Sequence, residues 1–219
     1  MRVPGTATLL TLTPKALITR GLPTLISGII DDSERYMPDS SNPKLLRPGL
    51  ILGHNSNDGK WYVCWCTLLS GAEAAGQTTL SVTAGQGNTR FTASDPDAAA
   101  FNVKIIGPGG IPGEQYLGAI TSVEANTITI TTALLVEYPA NSYVYRSPAT
   151  DYDQDVAQGI LWDYVSVDDG VGGDIDIQTL ILVGGIVDES ELTAKTNLHI
   201  GQLRDSDLGD VAHDFLFES

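Results

Sequence analysis

The sequence has few basic residues and no long apolar run. Its 219 residues include 12 Lys and Arg against 27 Asp and Glu, which gives a formal net charge of −15. Phosphate binding depends on clusters of Lys and Arg, so this balance argues against direct binding of nucleic acid. No segment approaches the roughly 20 apolar residues that a membrane span requires, and prolines at 4, 14 and 23 interrupt the only stretch where a secretory signal would lie. We therefore expect a soluble protein with a self-repelling acidic surface.

Cysteine and histidine are also scarce. Cys64 and Cys66 are two residues apart, so in a strand they share a face and are poorly placed to reach each other in relaxed disulfide geometry. A zinc site would need a second ligand pair, and His54, His199 and His213 lie in unrelated contexts. We expect two free, buried thiols, which suit a reducing cytoplasm, and neither a metal nor a cofactor.

Enzyme motifs are missing as well. The chain has no Gly-x-Ser-x-Gly nucleophile elbow and no pair of metal ligands at a useful spacing. The stretch 107–113, GPGGIPG, lacks the Gly-Lys-Ser/Thr ending of a phosphate loop and predicts a long turn. Aspartates cluster at 151–155 and 168–176, and calcium binding there stays open as an alternative, although neither cluster has the ligand order of a twelve-residue calcium loop. The sequence predicts a protein that is not an enzyme.

The sequence does contain many signals for β-structure. Its 23 glycines and 11 prolines separate short segments rich in Thr, Val and Ile, the pattern of a mainly β protein. Residues 46–67 predict strand, turn and strand. Two apolar runs, 159–167 and 175–187, predict strands on either side of an acidic glycine loop. Asp188, followed three residues later by a glutamate, is an N-cap signal and predicts a helix over about 189–197.

Three of these segments carry a family resemblance. Residues 46–53 (LRPGLILG) and 59–63 (GKWYV) resemble the "RPGTVLG...GKYV" opening of the head decoration protein of lambda-like tailed phages. Residues 159–192 are similar to that family's "GIL" strand, Gly/Asp loop, "LVxGxVV" strand and "D.S.L" helix start. The family usually runs directly from the first block to the second, whereas about 80 residues intervene here.

The resemblance implies a fold, a function and partners. The fold would be mainly β, with a β-tulip or β-clip-like core, short helices and an inserted small β-barrel or sandwich. The protein would be a capsid cement subunit, made in the host cytoplasm, that docks as a homotrimer on the outer surface of the expanded head. It would bind the major capsid protein and stabilise the head against internal DNA pressure. The alternative is a tail or baseplate component, or an adhesion module whose insertion binds host glycans through Tyr143 and Tyr145.

The insertion, residues 68–147, has its own β pattern. Five segments in it alternate or are rich in β-branched residues and are separated by turn residues, which predicts a small closed barrel or sandwich. The segments are 78–84, 101–106, 116–123, 126–132 and 142–145. We therefore divide the chain into an extended N-terminal arm (1–45), a core domain (46–67 with 148–219) and an inserted β-domain (68–147).

The two ends of the chain are expected to make contacts. Residues 1–45 contain five prolines and no long period, so they are expected either to lie across another protein or to be mobile when the protein is isolated. In the resembled family this arm adds a strand to the capsid lattice, which implies capsid-binding roles for Thr6, Thr8, Leu10 and Leu12. The alternative is that this segment is a strand of the chain's own fold. The partly apolar tail, 203–217, is expected to dock on its own domain or on a neighbouring subunit.

Overall fold

The computed structural model describes residues 18–36, 38–39, 41–91, 102–147, 155–193, 195–205, 209 and 211–218, with side chains from residue 22 onward. These residues form a mainly β structure, as the sequence predicts. The strands are β1 Ile18–Ile30, β2 Leu45–Leu46, β3 Ile51–His54, β4 Lys60–Val63, β5 Cys66–Leu68, β6 Thr79–Ser81, β7 Asn102–Ile106, β8 Gln115–Val123, β9 Thr127–Ile130, β10 Tyr143–Ser147, β11 Gly159–Leu161, β12 Val165–Ser166, β13 Ile177–Asp188 and β14 Asp214–Glu218.

The helical elements of the described residues are short. They are the α-helices α1 Gln86–Arg90 and α2 Asn197–Arg204, and two 3-10 turns, Pro108–Gly110 and Glu189–Glu191. Within the described ranges, therefore, the chain has no helix with the length and apolar character needed to cross a membrane.

The first sheet contains six strands in the order β1, β4, β3, β11, β13, β14. β1 also pairs along β13 in antiparallel register, so five of these strands close into a ring and β14 continues outward from β13. Beyond the ring, the far ends of β1 and β13 form a three-stranded extension with β14, in which Val187 pairs with Ile18 on one side and Phe217 on the other. The apolar tail is thus docked on its own sheet.

A tryptophan fills the inside of the ring. Trp61 on β4 is 2% exposed, and two facing strands carry glycine where the indole approaches them. A Cβ atom on Gly28 would lie 2.6 Å from Trp61 Nε1, and one on Gly159 would lie 2.6 Å from Ile181 Cγ2. Because carbon atoms do not approach so closely, glycine at these two positions leaves the space that the indole and Ile181 occupy.

The second sheet is built from the insertion together with β5. Its order is β5, β10, β7, β8, β9, β6, and each of the five segments predicted as strands overlaps one of them. Leu69 and Val82, which follow the two edge strands, form an antiparallel bridge, so the sheet curls on itself as a small barrel does. The stretch 107–113 forms the predicted turn, in which the Gly107 N–H donates to the Pro112 carbonyl oxygen.

The two sheets share one continuous buried core. Apolar side chains from the ring and from the inserted sheet belong to the same cluster, so the second sheet packs on the first instead of standing apart from it. From the ring, the cluster includes Leu52, Trp61, Val63, Leu161, Ile181 and Val183, and from the insertion it includes Leu80, Val103, Ile105, Leu117, Ile128 and Val144.

A buried ion pair also joins the two sheets. Glu34, in the loop after β1, is 1% exposed, and its carboxylate accepts hydrogen bonds from the Val63 N–H, at 3.1 Å, and from the guanidinium of Arg146 on β10. The same guanidinium lies over the Tyr62 ring, 5.4 Å from its centroid. Because both charges find their partners inside the chain, the pair favours one orientation of the inserted sheet on the ring.

The predicted N-terminal arm differs from the structure over part of its length. Ile18–Ile30 is not an arm but β1, which pairs with β13 continuously from Thr24 to Ile30 and again at Ile18 and Arg20. A glycine and a proline between Arg20 and Thr24 disguise this strand in the sequence, because the register with β13 shifts there and the alternation is lost. Residues 1–17 lie outside the described residues.

The helix predicted over about 189–197 is wrong in its extent. Asp188 does accept the expected N-cap hydrogen bond, but it caps only a single 3-10 turn. Next, the Thr193 N–H donates to the Gly49 carbonyl oxygen at 2.9 Å, which holds the chain in an extended pairing. The α-helix begins later, as α2, behind a second N-cap, Thr196.

Candidate functional site

The acidic glycine loop, residues 168–176, is ordered by its own aspartates. Asp169 Oδ1 accepts a hydrogen bond of 2.8 Å from the Val171 N–H, and Asp168 Oδ1 accepts one of 2.7 Å from the Gly170 N–H. Asp and Gly recur here because the carboxylates close local turns and the glycines permit the positive φ angles that those turns need. The loop presents Val171 at its tip, 88% exposed.

Basic side chains surround this loop and compensate its charge. A hydrogen bond to Asp176 is the main cause that raises the pKa of Lys60 well above its ordinary value. Three of the chain's 12 basic residues are thus used on one acidic segment. The contacts are Arg35 to Asp174 Oδ2 at 2.7 Å, Lys44 Nζ to the Gly173 carbonyl oxygen at 2.9 Å, and Lys60 Nζ to Asp176 Oδ2 at 2.8 Å.

Three carboxylates lie close together at the C-terminal end of the loop. Asp31, Asp32 and Asp176 each place one oxygen atom within 4.8 Å of the others. Lys60 Nζ lies 2.9 Å from Asp31 Oδ2 as well as bonding Asp176, so a metal ion would compete with an ammonium group for two of the three carboxylates. Partial burial, together with the charges of Asp31 and Asp176, raises the pKa of Asp32. This arrangement fits an internal salt-bridge network.

The buried histidines and cysteines are surrounded by groups that suit a structural role and not a catalytic one. Burial and the nearby charge of Arg90 lower the pKa of His199 to about 3, so this imidazole is neutral. The two ring nitrogens of His213 lie 2.9 and 3.2 Å from backbone carbonyl oxygens. Cys64 and Cys66 are buried thiols that do not form a disulfide, and burial raises the pKa of both. A buried thiol with a raised pKa is a poor nucleophile.

A groove of about 590 Å³ lies on the outer side of the β1–β13 ladder. Ser27 and Leu180, which pair across the ladder, form one wall. Tyr164 and β12 form the other wall, and β12 is held in place by its pairing with β2. The sequence signal for this groove was the polar interruption around Tyr164 within the apolar run 159–167. That signal is weak, because the walls come from segments far apart in the chain.

Tyr143 and Tyr145, which the alternative hypothesis assigns to glycan binding, do not line this groove. Tyr145 is buried, and its hydroxyl donates to Glu114. Tyr143 is half-buried and lines a separate pocket of about 380 Å³ between the glycine turn and α2. Neither ring is as exposed as that of Tyr164. The predicted capsid-binding residues lie outside the described part of the chain; they are Thr6, Thr8, Leu10 and Leu12.

No protein-family model matches this chain, and neither does a curated protein or a solved structure.

Proposed function

We propose that the chain is a capsid decoration protein of a tailed bacteriophage. In this proposal it is a structural subunit and not an enzyme: it binds the outer surface of the expanded head as a homotrimer and stabilises the shell against internal DNA pressure. Its partners are the major capsid protein and two further copies of itself. In this proposal the five-stranded ring with its short helices would be the β-tulip-like core of the resembled family, and the second sheet would be the inserted module.

The observation that carries the proposal is the meeting of the two sequence blocks that resemble the family. The blocks 46–63 and 159–192 are far apart in this chain, but β3 from the first pairs with β11 from the second. Also, β2 pairs with β12, and the N–H of Thr193, the residue after the second block, donates to the Gly49 carbonyl oxygen in the first block. Because the two blocks pair directly with each other although a long segment separates them, the pairings support a core domain into which a module has been inserted.

The place of the insertion supports the same proposal. The inserted segment leaves the ring near Trp65 and returns near Arg146, and the Arg146 N–H donates to the Trp65 carbonyl oxygen at 2.8 Å. Domains are tolerated as insertions where their two ends lie close together, because the host fold then needs no rearrangement. The long insertion is thus compatible with a decoration core that keeps its own pairings.

In this proposal, stabilisation of the head comes from many copies acting together. Each trimer would contact several capsid subunits, so individually weak contacts add through multivalency. The arm, with Thr6, Thr8, Leu10 and Leu12, would supply a strand to the capsid lattice. A net charge of −15 would discourage decorated virions from adhering to one another or to nucleic acid.

Co-sedimentation with phage heads tests this function. We expect the full chain to sediment with expanded, undecorated heads of its phage and to remain in solution with unexpanded ones. The arm is tested by deleting residues 1–17 and no more, because β1 begins at Ile18 and is part of the sheet. This variant should keep the unfolding temperature of the full chain and lose head binding.

The two experiments test the decoration function and the role of the arm separately. If the full chain does not sediment with expanded heads, the decoration proposal is contradicted. A deletion variant that binds with full affinity leaves the function intact and places the docking surface outside residues 1–17.

A further inference from the structure

The groove beside Tyr164 combines an aromatic ring with fixed polar groups. Tyr164 is 38% exposed, and Leu180, 41% exposed, adds an apolar surface on the opposite wall. Gln178 Nε2 donates to Ser27 Oγ at 2.8 Å, which fixes the amide and the hydroxyl in the groove wall. Ser27, Gln178 and Leu180 lie on the paired strands β1 and β13, and Tyr164 directly precedes β12, which pairs with β2, so these groups are positioned before any ligand arrives.

The charge of the groove restricts its ligand. No Lys or Arg is among the described residues that line it, so phosphate, sulfate and carboxylate ligands have no counter-charge there. Two aspartates line it, but Asp168 already accepts the Gly170 N–H and lies 3.9 Å from Lys44 Nζ. Asp163 makes no hydrogen bond or ion pair with the rest of the described chain, which leaves one carboxylate free to accept. The groove therefore offers one unpaired carboxylate as a hydrogen-bond acceptor and no counter-charge for an anion.

We propose that this groove binds a neutral carbohydrate. The apolar C–H face of a pyranose ring packs on the Tyr164 ring beside Leu180, and neighbouring sugar hydroxyls donate to the Asp163 carboxylate. The volume of about 590 Å³ lies within the range of roughly 300–1,000 Å³ typical of small-molecule sites. The site is on the ring and not on the inserted sheet, and it does not depend on the decoration function.

Saturation-transfer NMR on the isolated full chain tests the proposal. The probes are glucose, galactose, mannose, N-acetylglucosamine, N-acetylgalactosamine, lactose, maltose and chitobiose at millimolar concentration. We expect transfer to the ring protons of at least one of these sugars, with affinity then measured by titration. Tyr164→Ala should weaken that binding at least about tenfold, and Tyr164→Phe, which keeps the ring, should stay within about threefold of wild type.

Two further variants make the test specific. Asp163→Asn, which removes the free carboxylate, should weaken binding about tenfold. Tyr116→Ala is the matched control, since Tyr116 on β8 is 42% exposed and lies outside the groove, and it should bind like wild type. Thermal unfolding of each variant verifies that it is folded, and Asp163→Asn keeps the test decisive if Tyr164→Ala is unstable.

Three results would overturn the proposal. They are the absence of transfer to every sugar of the panel at tens of millimolar, binding that Tyr164→Ala and Asp163→Asn leave unchanged, and preference of the groove for an arginine-containing peptide over all the sugars. None of these results bears on head binding, so the carbohydrate site and the decoration function can fail separately.

Discussion

Single residues in this protein are constrained by the side chain that faces them. Trp61 occupies the inside of the ring, and the strands on either side of it can approach only because Gly28 and Gly159 have no side chain. In the sequence, these glycines look like ordinary strand interruptions. Their role becomes visible only when the indole is placed between them.

Gly159→Ala is therefore expected to destabilise the fold. The new methyl group would lie 2.6 Å from Ile181 Cγ2 and 2.8 Å from Trp61 Cζ3, and overpacking of this kind costs about 2 kcal/mol of the free energy of unfolding. Gly71→Ala is the matched control, since a Cβ there meets nothing within 4 Å, and it should change the free energy by less than about 0.5 kcal/mol. Urea denaturation of both variants measures the difference. Equal stability of the two would contradict the tight packing around Trp61.

His199 gives the protein a defined response to acid. The folded chain holds this imidazole neutral, with a pKa of about 3, whereas the unfolded chain has the ordinary value of about 6.5. Above pH 6.5 both states are neutral and the residue has no effect on stability. Below it the unfolded state binds a proton that the folded state does not, so the free energy of unfolding falls by about 1.4 kcal/mol per pH unit.

Between pH 7 and pH 5, His199 should thus account for a loss of about 2 kcal/mol of unfolding free energy. His199→Leu removes the titrating group, so the variant should lose about that much less than wild type over the same interval. Urea denaturation of both proteins at the two pH values gives the comparison. The same loss in both proteins would show that His199 does not titrate differently on unfolding.

At the scale of elements, the sequence predicts what depends on local pattern. The five strand segments of the insertion and the pair β3 and β4 were predictable from alternation and turn residues, because neighbouring strands set that pattern locally. β1 was not, since its pairing with β13 spans most of the chain and tolerates register shifts that erase the alternation. The length of the helix after Asp188 was also mispredicted, because the distant Gly49 and not the local cap decides where the turn ends.

For the candidate sites too, the sequence predicts local features and misses those that depend on tertiary contacts. The acidic loop was visible in the sequence as aspartates around glycines, but the basic side chains that neutralise it come from positions 35, 44 and 60. The walls of the Tyr164 groove come from segments that are distant in the sequence, so the groove could not be predicted from any one of them. Charge partners and concave surfaces depend on tertiary contacts that one sequence does not display.

The ion pair between Glu34 and Arg146 should determine how firmly the two sheets are joined. Arg146→Met leaves the Glu34 carboxylate buried without its partner, which should cost about 3 kcal/mol of unfolding free energy. Adding Glu34→Gln removes the charge and keeps an acceptor for the Val63 N–H, so the double variant should be more stable than Arg146→Met alone.

Arg47→Met is the control for this pair. It removes an ion pair of 2.7 Å with Asp39 in which the Arg47 side chain is 42% exposed, so the cost should stay below about 1 kcal/mol. Chemical denaturation of the three variants gives the ranking. If Arg146→Met costs no more than Arg47→Met, the ion pair adds little to the contact between the two sheets.

At the scale of the whole molecule, two sheets share one core, and the ring brings together the sequence blocks that resemble phage decoration proteins. Both blocks contribute strands to the ring, whereas β1, which also belongs to it, lies outside them.

The measurement that tests the decoration proposal most directly is the mass of expanded heads before and after incubation with an excess of the protein. The gain in mass, divided by the subunit mass of 23.2 kDa, gives the number of bound copies. The proposal predicts saturation at hundreds of copies per head, in a number divisible by three. No gain, or a gain of only a few copies, would contradict it and favour a tail or baseplate component.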